Sequence, residues 1–125
     1  MKRPKNNEPS QRQLRVGEEI RHILADIFMR GDIYIEGLSG ISVTVTEVDV
    51  APDLRNATAY VSSLGGVMEE SELANILNEA APEFNQLLAR KLIMKFTPRL
   101  TFSADNRFDY ADKIEALLKK TKRDE

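Results

Sequence analysis

The chain has no cysteine. That excludes disulfides, thiolate metal sites and a cysteine nucleophile, and it suits a reducing cytoplasm. It has one histidine, His22, so a zinc site lacks a second imidazole and a general base there lacks an evident partner. Aromatic residues make up 6% of the chain, which leaves few rings for stacking on nucleic-acid bases. No apolar run approaches the roughly 18 residues that a membrane span needs. The opening MKRPKNNEPSQRQ is basic but lacks the apolar stretch of a secretory signal. No phosphate-binding glycine loop, nucleophile elbow or other catalytic motif occurs. A non-enzymatic cytoplasmic protein without cofactor or metal is expected.

The chain has 125 residues, 42% of them apolar, enough for one modest core. We read 1–9 as a disordered basic tail, 10–107 as the domain and 108–125 as a terminal helix and basic tail. The net charge of −2 hides a strong segregation. Between Asp32 and Glu83 the one base among many acids is Arg55; Arg90, Lys91, Lys95, Arg99 and Arg107 then follow against Asp105 alone. The first fifteen residues add Lys2, Arg3, Lys5, Arg12 and Arg15 against Glu8. Local field, not net charge, steers a charged partner.

Ser10 and Gln13 have the spacing of a capping box. Val16, Ile20, Ile23, Leu24, Ile27 and Phe28 then recur with helical period, and Gly31 ends the helix. Ile33, Tyr34, Ile35 and Leu38 are expected to pin a connector to the core. Ile41, Val43 and Val45 alternate with polar residues as in a half-buried strand. The alternation slips at Glu47 and resumes at Val48, which predicts a bulge. Ala51-Pro52-Asp53-Leu54 is turn chemistry, and a second strand over 55–63 completes an antiparallel hairpin. Gly65-Gly66 breaks the chain before Glu69, Glu70 and Glu72, acids suited to a helix start.

Leu73, Ile76, Leu77, Ala80, Phe84, Leu87, Leu88 and Leu92 keep helical spacing across Pro82. Proline removes an N–H and its ring clashes with the carbonyl of Asn78, so the helix kinks or breaks at Ala80-Ala81-Pro82. A third strand over 96–104 follows, with Pro98 near its start. Ile114, Leu117 and Leu118 suggest a last helix before Lys119, Lys120, Lys122 and Arg123. Phe84, Phe96 and Phe102 are expected in the core. The order makes an α+β domain, a three-stranded sheet covered on one face by helices.

Arg15-Val16-Gly17-Glu18-Glu19-Ile20-Arg21, Val43-Thr44-Val45-Thr46-Glu47-Val48, Pro52-Asp53-Leu54-Arg55-Asn56-Ala57, Ala59-Tyr60-Val61-Ser62 and Pro98-Arg99-Leu100-Thr101-Phe102 together resemble the bacterial ribosome-binding factor A family. Their order spans about residues 10 to 105. The resemblance implies a fold like a type II KH domain without the Gly-x-x-Gly loop that grips RNA in KH proteins. The family's Ala-x-Gly at the helix break reads Ala80-Ala81-Pro82 here, with proline in place of glycine.

The resemblance further implies a monomeric factor that binds the immature 30S subunit and its 16S rRNA. It would promote late maturation and 5′-end processing of 16S rRNA and leave before translation, in a family associated with growth in the cold. Ribosomal proteins and a ribosome-associated GTPase are further candidate partners. On that scaffold Arg90, Lys91, Lys95 and Arg99 would bind rRNA phosphates, joined by Arg12 and Arg15 if the first helix packs beside the broken one. Arg55 is expected to pair with Asp53 or Glu47 instead. Two other readings stay open: a protein adaptor docking through its polar sheet face or acidic middle, and a magnesium nuclease using Glu47, Asp49 and Asp53.

Overall fold

The structure is a computed structural model that describes residues 8–105. The terminal helix expected around Ile114–Leu118, the basic C-terminal tail and most of the N-terminal tail lie outside those residues. The elements run α1 (Gln11–Arg30), β1 (Val43–Val50), β2 (Asn56–Ser63), a 3-10 turn at Leu64–Gly66, α2 (Glu70–Glu79), α3 (Ala81–Lys91) and β3 (Arg99–Ala104). No described helix is long and apolar enough to cross a membrane.

The capping box forms as its spacing predicts. The Gln13 N–H donates to Ser10 Oγ at 3.1 Å, and the Ser10 N–H donates to Gln13 Oε1 at 2.8 Å. At the other end Gly31 takes φ 69, the left-handed conformation that lets its N–H reach the Ile27 carbonyl. The sheet order is β1-β2-β3, antiparallel between β1 and β2 and parallel between β2 and β3. The β1–β2 register shifts between Val45 and Glu47, which is the bulge the slipped alternation predicts. It turns Val48 and Val50 back to the face that carries Val45. Thr46, the extra residue, donates its hydroxyl to Asp105 Oδ2 at 2.6 Å.

One sheet face builds the core. Ala57, Ala59, Val61, Leu100 and Phe102 are buried there against Ile20, Leu24, Leu73, Leu77, Phe84 and Leu88. The small Ala57 and Ala59 let large helix side chains come close to β2. Gly17 serves the same end on α1. A Cβ at Gly17 would lie 2.7 Å from the Val48 carbonyl oxygen, so the helix rests directly on the β1 backbone. Gly17→Ala gains about 1 kcal/mol of helix propensity against roughly 1–3 kcal/mol of overpacking. A net loss of about 1 kcal/mol in urea unfolding is expected, and a larger one for Gly17→Val.

Two side chains differ from expectation. Tyr34 is 80% exposed, because the alternation that half-buries Ile33 and Ile35 turns it outward. Phe96 is 75% exposed rather than in the core. From Leu92 to Phe102 the even-numbered apolar positions face inward, but the chain bends at Lys95 and Phe96, and that one ring is thrown out. The regular strand accordingly begins at Arg99.

Candidate nucleic-acid interface

The helix breaks where Pro82 demands it. α2 ends at Glu79, Ala80 leaves helical geometry at φ −97 and ψ 8, and Pro82 becomes the second residue of α3. There its missing N–H costs nothing, because first-turn donors have no partner within the helix. Two asparagines fasten both helices to the outer edge of β3. Asn78, in α2, donates to the Phe102 carbonyl and accepts from the Phe102 N–H, both at 2.8 Å. Asn85, in α3, accepts from the Leu100 N–H at 2.8 Å and donates to the Leu100 carbonyl at 3.2 Å. Each amide thus mimics a neighbouring strand and satisfies edge groups that would otherwise stay unpaired. Asparagine is a poor residue for a helix interior, and its double occurrence there was the available signal for this role.

Beside the break lies an open groove of about 610 Å³, lined among others by Ala81, Pro82, Asn85, Thr97 and Arg99. A second groove of about 600 Å³ shares Thr97 and is lined by Arg12, Asp53, Leu54, Arg55, Met94, Lys95 and Phe96. The β1–β2 turn presents Arg55 to it. Leu54 holds φ 61, a left-handed conformation costing a non-glycine residue about 1–2 kcal/mol, while its half-buried side chain packs on the core.

The structure therefore gathers Arg12 and Lys95 in one groove and sets Arg99 beside Ala81 and Pro82 in its neighbour. Arg15, Arg90 and Lys91 are exposed but line neither groove. Arg55 departs from expectation: the Asp53 carboxylate accepts its backbone N–H at 3.1 Å, and the guanidinium stays out of ion-pair range. Asp53 instead closes on the backbone two residues on. Among the described residues, none of Arg12, Arg55, Lys95 or Arg99 forms an ion pair.

Ion pairs cluster instead on α1. Arg21 binds Glu18 and holds that carboxyl below its ordinary range through the hydrogen bond they share. His22 Nε2 lies 3.3 Å from the same carboxylate, on an exposed face, so its partner is a helix neighbour one turn back. Arg30 pairs with Asp26. Glu47 and Asp49 line a separate groove between α1 and β1, whereas Asp53 lines the groove that holds Arg12 and Lys95. The three carboxylates of the nuclease reading thus do not share a groove, and no group of three or more His, Asp or Glu suited to a metal ion occurs among the described residues.

The family model described as ribosome-binding factor A matches residues 12–118. Ribosome-binding factor A from Rhodospirillum rubrum is 45% identical over 118 residues, covering 94% of this chain and 71% of that protein. In fold the chain is similar to the crystal structure of ribosome-binding factor A from Thermus thermophilus, with a TM-score of 0.64 and 22% identity over 76% of this chain and 97% of that one. A homology model of the Thermus thermophilus protein, fitted into a cryo-electron-microscopy map of a 30S complex, matches with a TM-score of 0.54 and 22% identity. It covers 71% of this chain and 90% of its own.

Proposed function

Because the chain belongs to the ribosome-binding factor A family, we propose that it binds the immature 30S ribosomal subunit and its 16S rRNA as a non-enzymatic assembly factor, promoting late maturation and 5′-end processing. The carrying observation is the pair of adjoining grooves that hold Arg12, Arg55, Lys95 and Arg99 without ion pairs among the described residues. Cations without an ion-pair partner among the described residues remain available to phosphates, and each phosphate they neutralise releases counterions. Proline at the helix break gives no N–H and no positive φ, so contact there runs through Arg99 and the groove wall rather than through a glycine backbone. The Thermus thermophilus protein in its 30S complex supports the choice of partner.

Arg90 and Lys91 are exposed but lie outside both grooves. They also occupy the last turn of α3, where cations favour the helix dipole by about 0.3–1 kcal/mol each. Charge reversal there would confuse binding with stability, so neutral variants are the cleaner probes.

The reading is tested by co-sedimentation with free small subunits and with whole ribosomes across a salt series. Binding to free subunits is expected to fall steeply with salt, and binding to whole ribosomes to be weak throughout. Equal binding to both particles, or salt-independent binding, would count against the assembly reading.

A further inference from the structure

Phe96 lies exposed, against the inward period of its neighbours. The residue is 75% exposed, and the Lys95 ammonium lies 5.7 Å from the ring centroid. The ring shares its groove with Arg12 and Arg55, which approach from α1 and from the β1–β2 turn. Three separate segments thus bring three cations to one exposed aromatic. The groove also contains Asp53, whose carboxylate accepts the Arg55 N–H at 3.1 Å.

We infer that this groove takes one unpaired nucleotide of RNA, its base stacked on Phe96 and its flanking phosphates held by Arg12, Arg55 and Lys95. The inference rests on the RNA-binding reading above and adds a base contact to it. Phosphate binding alone needs cations and no ring; an apolar partner surface would be poorly matched by three charges around a single ring. A base supplies a flat apolar face and its own phosphates supply the negative charge, so one ligand satisfies both halves of the site. A volume of about 600 Å³ falls within the range of small-ligand sites. A paired base is excluded, because a duplex keeps both its faces stacked.

The test titrates the full chain with a hexamer of adenosine nucleotides and with an abasic ribose-phosphate hexamer of equal charge. The adenosine hexamer is expected to bind about 5- to 150-fold more tightly, the range for one base on one ring. Phe96→Leu should erase that preference and leave the salt dependence unchanged. Lys95→Gln should weaken both oligomers and flatten the salt dependence. Unaltered thermal melting confirms that each variant is folded, which the exposure of both side chains favours. A wild type that ignores the base, or a Phe96→Leu variant that still discriminates, overturns the stacking site. So does a Phe96-dependent affinity for isolated ribosomal proteins in place of RNA. Co-sedimentation with small subunits, run alongside, separates the two failures: loss of the base preference with subunit binding intact removes this site only, whereas absence of subunit binding removes the broader reading.

Discussion

Replacing Lys95 and Arg99 together by glutamine is expected to weaken binding to free small subunits by roughly 25- to 60-fold at about 0.1 M monovalent salt. The figure follows from counterion release: each lost phosphate contact removes about 0.7–0.9 from the slope of log affinity against log salt. With affinities referred to 1 M salt, two contacts amount to about 1.4–1.8 decades at one-tenth that concentration. Both side chains are exposed and unpaired among the described residues, so the fold should tolerate the change. Co-sedimentation at several salt concentrations measures the slope directly. An unchanged slope would remove the two grooves from the binding surface, even if some affinity were lost. Arg15→Gln, on the same helix as Arg12 but outside both grooves, should shift the slope far less.

The largest loss of stability is expected from Phe84→Ala. Phe84 is fully buried, its ring centroid 5.4 Å from that of Phe28 and 5.0 Å from that of Phe102, the latter nearly edge to face. It joins α1, α3 and β3 at one point. Removing such a ring costs about 3–5 kcal/mol, a large part of the roughly 5–15 kcal/mol that holds a small domain folded. At about 4–8 °C per kcal/mol, melting should fall by some 12 °C or more. Urea unfolding measures the loss, and Phe84→Leu should recover part of it. A loss below about 1 kcal/mol would mean that the packing around this ring is much looser than the structure has it.

The framework was legible in the sequence wherever a local rule dictates local geometry. Ser10 and Gln13 specify a helix start, Gly31 a helix end, the slip at Glu47 a bulge, and Pro82 a break. The candidate site was legible only in part. Its cations stand out in the sequence, but which of them converge depends on how α1, the β1–β2 turn and the 92–98 segment meet. No local pattern states that, so Arg12 and Lys95 were indistinguishable from Arg15 and Lys91. Phe96 fits the inward period that runs from Leu92 to Phe102, and one bend at Lys95 and Phe96 defeats the pattern. Proximity in sequence to Asp53 suggests a charge pair for Arg55, whereas the carboxylate is engaged by the backbone.

Asn78 and Asn85 make the angle between α2 and α3 a matter of matching two rulers. An unbroken helix would set residues seven apart at about 10.5 Å along its axis. Leu100 and Phe102, two apart in a strand paired in parallel, stand only about 6.6 Å apart. Both amides can clasp their strand residues at once only if the rod between them folds to make up the difference. Pro82 forbids a continuous helix, and the strand then sets the elbow that the two asparagines hold.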